Sequence, residues 1–132
     1  MVRSSVADLR PEDLLHFVEL RSFTEVWDNE LGLTDNDLLA LQISIMLRPA
    51  AAPVVQGTGG LRKLRFAPLR STKGKRGGIR VCYVHFEEFG IVLLVSAYAK
   101  SRRDDLSESE KRGIRILIER ISLELERRRT LD

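Results

Sequence analysis

The chain is 132 residues long, about one ordinary domain, and 43% hydrophobic, which is too much for a disordered chain and enough for a buried core. No apolar run approaches the roughly 18 residues that a membrane-spanning helix needs, and no apolar signal core follows Met-Val-Arg-Ser-Ser, so a cytoplasmic protein is expected. One cysteine, Cys82, excludes an internal disulfide and a cysteine metal cage, and the formal net charge of +3 hides an asymmetry: residues 1–59 carry −5, residues 60–103 carry +9 and residues 104–132 carry −1.

Residues 1–13 are polar and broken by Pro11; they are expected to be an extension with a short helix after the proline, ahead of a single domain over 14–132. Leu15 to Leu20 is short and mostly apolar, which predicts a first strand. Ser22 and Glu25 have the spacing of a capping box, so a short helix should follow with Phe23, Val26 and Trp27 inward, interrupted at Gly32. Thr34-Asp35-Asn36-Asp37 caps a second helix with Leu38, Leu39, Leu41, Ile43 and Ile45 on a broad apolar face, stopped by Pro49. The two helices form a hairpin packed on a sheet, and Ala50 to Pro53 is a connector with no assignable chemistry.

The period then changes. Leu61 to Ala67 and Ile79 to Phe86 are predicted strands, Glu87 to Gly90 is a turn, and Ile91 to Lys100 is a continuous apolar run suited to a central strand. Between the first two lies Pro68 to Gly78, expected to be a mobile, positively charged hairpin loop. Ser107 and Glu110 form another capping box and open a helix with Ile114, Leu117, Ile118, Ile121 and Leu125 at helical spacing; Arg127-Arg128-Arg129 suits its C-terminal dipole.

Most chemistry-bearing motifs have bland explanations. His16 and His85 are far apart and lack metal-ligand spacing. Gly57-Thr58-Gly59-Gly60 lacks the frame of a phosphate loop and precedes a strand, so a tight turn is expected. Asp104-Asp105 fits a dipole or salt-bridge role ahead of a helix, and Cys82 that of a small buried hydrophobe. No metal and no cofactor are implied. The +9 segment points instead to a polyanion, nucleic acid first, with a merely solvated basic face as the alternative. Strand alternation puts Lys63 and Arg65 on one face, Arg80 on the same face at the start of the next strand, and Tyr98 with Lys100 at the end of the third, with Arg103 just beyond. Such a surface suits gripping phosphates, stacking a base on Tyr98 and stabilising a phosphorane-like transition state. Crowded cations also lower a lysine pKa toward general-base use. A non-catalytic RNA-binding sheet, or cations that only snorkel from edge strands, fits the same pattern. Arg80 is expected on the working face and outside the core.

Three segments in order, Val55 to Phe66, Gly74 to Tyr83 and Ala97 to Ser107, resemble the RelE/ParE toxin superfamily, and most closely its HigB-like branch; the likeness covers about residues 15–125. It implies an α+β compact RelE-like fold: a small, mainly antiparallel sheet with an N-terminal helix hairpin and a C-terminal helix. It also implies the toxin of a type II toxin-antitoxin system, a ribosome-dependent endoribonuclease (mRNA interferase) that cleaves mRNA in the ribosomal A site. Cleavage is by metal-independent attack of the 2′-OH, which inhibits translation, and a cognate antitoxin with a helix-turn-helix domain neutralises it. By motif, Lys63 and Arg65 match the basic pair of the second strand, Arg80 the transition-state arginine, and Arg103 the basic residue supporting the leaving side. RelE has a catalytic tyrosine near the position of Ser107, and Tyr98 is its candidate substitute by stacking or proton donation. Arg62, Lys73, Lys75, Arg76, Lys100 and Arg102 are assigned to RNA binding. Two alternatives stay open: a catalytically inactive nucleic-acid-binding or repressor partner of RelE type, and a ParE-like gyrase inhibitor, against which the set Lys63, Arg65, Arg80 and Arg103 argues.

Overall fold

A computed structural model describes residues 9–68, 78–100 and 105–131. A 3-10 turn at Pro11–Asp13 is closed by the Arg10 amide, which donates to the Asp13 carboxylate at 3.0 Å. Then come β1 (His16–Glu19), α1 (Arg21–Glu25) running on into a π-helical turn (Val26–Glu30), and α2 (Asp35–Leu47). After a connector follow β2 (Leu61–Phe66), β3 (Ile79–Phe86), β4 (Ile91–Ala99) and α3 (Glu108–Leu131). The chain is therefore α+β. Its four-stranded sheet has the order β1-β4-β3-β2, with β1 parallel to β4 and the other neighbours antiparallel.

The apolar run of β4 explains its central place, because only an inner strand can bury both faces. On one face Val81, Tyr83, Val92 and Leu94 meet Phe23, Trp27, Leu41 and Ile45 of the helix hairpin. On the other, Leu61, Cys82, Val84, Leu93 and Val95 lie under Ile118 of α3. Burial of each such large side chain contributes about 1.5–3 kcal/mol. Trp27 anchors the first layer, stacked on Phe23 at 5.1 Å between ring centroids and tilted against Phe66 at 5.6 Å.

Of the two expected capping boxes one forms, at Ser107, and the expected N-cap at Thr34 is itself a capping box. Thr34 Oγ1 accepts from the Asp37 amide at 3.1 Å while the Asp37 carboxylate accepts from the Thr34 amide at 3.0 Å. Ser107 Oγ accepts from the Glu110 amide at 3.1 Å, and Glu110 returns the bond at 2.8 Å. The box at Ser22 and Glu25 does not form: α1 starts at Arg21 with Leu20 at its N-cap, and Ser22 donates instead to the Val95 carbonyl at 2.7 Å. β1 pairs with β4 only as far as Glu19 opposite Leu94, so the Val95 carbonyl lies past the ladder and takes a side-chain donor. Leu39 also departs from expectation: it is exposed, whereas Leu41, Ile43 and Ile45 are buried.

One irregularity positions the site. Cys82 pairs with Ser96 and Tyr83 with Leu94, so Val95 is an extra residue, a β-bulge in β4. Beyond it the alternation of β4 inverts. Leu94 and Ala97 share the helix-hairpin face, and Tyr98 moves to the α3 face.

Candidate functional site

The bulge brings Tyr98 into line with two arginines. Across the α3 face, Arg65 of β2 is the register partner of Arg80 on β3, and Arg80 is the partner of Tyr98 on β4. Lys63 lies two residues back along β2 on the same face as Arg65, and Lys100 follows the end of β4, its amide donating to the Gly78 carbonyl at 3.2 Å. Lys63, Arg65, Arg80 and Lys100 line a depression of about 490 Å³. The rest of its wall is Leu64 together with Ala51, Ala52 and Pro53, the connector to which the sequence assigned no chemistry. Four cations thus converge on a cleft whose lining contains no carboxylate among the described residues.

Exposure differs sharply within the row. Arg65 and Lys100 are exposed, Lys63 is half-buried, and Arg80 and Tyr98 are buried, at 4% and 8% exposure. The expectation that Arg80 stands outside the core is therefore corrected. β3 is an inner strand, and the α3 face covers its side chains. The face itself is as expected.

Lys63 Nζ lies 3.2 Å from a carboxylate oxygen of Asp105, just ahead of α3. Arg62 points the other way, by strand alternation, and is used structurally: its guanidinium donates to the carbonyls of Ala50 at 3.0 Å and Ala52 at 2.6 Å, tying the connector to β2. Arg103, Arg102, Lys73, Lys75 and Arg76, with the loop expected between β2 and β3, lie outside the described residues.

Of the two histidines, His16 is exposed and His85 half-buried; burial lowers the pKa of His85, Glu87 opposes that shift and Arg62 adds to it. Tyr83 donates to the Pro49 carbonyl at 2.7 Å, and burial raises its pKa. Cys82 is fully buried in mid-strand. Among the described residues no three His, Cys, Asp or Glu side chains are grouped to hold a metal ion, and no helix is long and apolar enough to cross a membrane.

Chemically, this arrangement suits a phosphodiester. Arginine offers a planar, bidentate donor to phosphate, and lysine offers a mobile point charge. Arg80 belongs both to the depression and to the cross-strand row that ends at Tyr98, although Tyr98 itself does not line the depression. A scan against protein-family models finds none that matches the chain.

Proposed function

We propose that this protein is a cytoplasmic toxin of the RelE/HigB type, an endoribonuclease that cuts mRNA in the ribosomal A site and is held in check by a helix-turn-helix antitoxin. The observation that carries this reading is the convergence of Lys63, Arg65, Arg80 and Lys100 on one depression, in the segment that resembles that superfamily. In the proposed reaction the ribose 2′-oxygen attacks the adjacent phosphorus and the bond to the 5′-oxygen breaks. A 2′,3′-cyclic phosphate and a 5′-hydroxyl remain. The 2′-hydroxyl proton passes to the candidate base, Lys63, acting as its neutral amine, and the ammonium so formed, or a water, returns a proton to the leaving 5′-oxygen. Arg65 and Arg80 offset the charge that builds on the phosphorane, the kind of contribution worth about 10²–10³ in rate per donor.

One observation favours a second reading, an inactive RNA-binding partner. Tyr98 is buried, at 8% exposure, which disfavours stacking a base on its ring. The experiment that separates the two is cleavage of a defined mRNA on purified, assembled ribosomes. Fragments ending in a 2′,3′-cyclic phosphate are expected, and intact mRNA with retained RNA binding supports the second reading instead.

A further inference from the structure

The turn at Gly57 to Gly60 plays no part in the chemistry above, yet it is built against α3. Thr58 is fully buried; its hydroxyl donates to the Val55 carbonyl at 2.6 Å and accepts from the Leu61 amide at 3.0 Å. Gly59 has φ +79°, and a Cβ there would stand 3.2 Å from Cγ of Arg115, so the arginine stem lies on bare backbone that no other residue provides. A Cβ at Gly57, φ +87°, would meet Cδ of Lys111 at 3.7 Å. Two cations one helical turn apart are thus laid onto this turn. Lys111 is paired with Glu108 at 3.3 Å, while the exposed guanidinium of Arg115 has no hydrogen bond or ion pair among the described residues.

Three close approaches trace the course of α3 beside β2. Asp105 meets Lys63 at the depression, Lys111 meets Gly57, and Arg115 meets Gly59. Arg115 therefore stands roughly 10 Å along α3 from its first residue, on the flank that leads away from the cationic depression.

We infer that this flank is a second phosphate subsite: the backbone of a single RNA strand seated in the depression continues along the seam between β2 and α3, and Arg115 holds a phosphodiester outside the reacting nucleotides. The inference rests on the RNA reading above and extends its site. A guanidinium whose stem is supported and whose head is unpaired is preorganised for bidentate phosphate contact. An exposed unpaired arginine contributes little to folding by charge, so stability alone does not account for the arrangement.

The test measures binding of 2′-O-methyl RNA, which cannot be cleaved by 2′-attack, as a labelled dinucleotide and as a labelled decamer. Wild-type protein is expected to bind the decamer more tightly. Arg115→Gln should lose about 5–10-fold on the decamer, flatten its salt dependence by about 0.7 in log-log slope, and leave the dinucleotide unchanged. Arg115→Lys should recover most of the loss. Equal binding of wild type and Arg115→Gln to both oligomers overturns the subsite while the RNA reading stands. Equal weakening on both lengths also overturns it, because the effect is then not confined to the flank. If wild type binds neither oligomer while Lys63→Gln behaves identically, the RNA reading fails and the subsite with it.

Discussion

The ammonium of Lys63 stands 3.2 Å from the carboxylate of Asp105, so a residue just ahead of α3 neutralises one of the cations that β2 offers to the depression. The lysine side chain is 24% exposed and the aspartate 80%, and pairs that wet are worth about 0–1 kcal/mol. Such a counter-ion exchanges readily for phosphate. Asp105→Asn is therefore expected to leave the melting temperature nearly unchanged and to tighten RNA binding by up to about fivefold, as fluorescence anisotropy reads it. Weaker binding would mean that Asp105 positions Lys63 and does not compete for it.

Arg80 is different because it is buried between Arg65 and Tyr98. Truncation there removes a charged group from a covered face, so Arg80→Ala should cost about 1–3 kcal/mol of stability as well as activity. Arg80→Lys keeps the charge and loses the planar fork. It is expected to restore most of the stability in a denaturant melt without restoring cleavage. Full activity in Arg80→Lys would show that the charge alone suffices.

Trp27 stands at the centre of the helix-hairpin layer, and its indole Nε1 is a buried donor with no partner among the described residues. Trp27→Ala should lower the unfolding free energy by about 3–5 kcal/mol, because the stack with Phe23 and the contact with Phe66 are lost together. Urea unfolding measures this. A loss below about 1 kcal/mol would mean that the layer re-closes around the gap.

Acid should weaken the fold through His85. Burial holds its pKa below the ordinary 6.5, so below that value the unfolded chain takes up a proton more readily than the folded one. The contribution is fully present above about pH 6.5 and is lost as pH falls through that value toward the lowered folded pKa. Thermal melts at pH 7.5 and 5.5 should differ less in His85→Gln than in wild type. Glu124, held at about 2 by the guanidiniums of Arg127 and Arg128, adds a second, more acidic loss between about 4.5 and 2. An unchanged pH dependence in His85→Gln would remove the histidine from this account.

Much of the fold is legible in local spacing, because its signals are local. Thr34 with Asp37 and Ser107 with Glu110 place two helix starts, and the unbroken run of Ile91 to Ala99 places the central strand. Ser22 shows where local reasoning stops: its spacing with Glu25 is that of a cap, but a carbonyl 73 positions away claims its hydroxyl. The site divides along the same line. Alternation alone puts Lys63, Arg65 and Arg80 on one face, and β2–β3 pairing then brings Arg65 opposite Arg80. Tyr98 joins them only through the bulge at Val95, which leaves no mark in the sequence. The burial of Arg80, the connector wall at Ala51 to Pro53 and the seat of Arg115 on Gly59 all depend on packing between distant segments.

Primer extension on mRNA from cells expressing the protein tests the proposed nuclease most directly. Wild type is expected to arrest growth and to produce new 5′ ends in codon phase, with the arrest relieved by the cognate antitoxin. Arg65→Gln, altered at an exposed position of the depression, should lose those ends while keeping a wild-type melt. Growth arrest with no new 5′ ends, or undiminished ends from Arg65→Gln, would contradict cleavage at this surface.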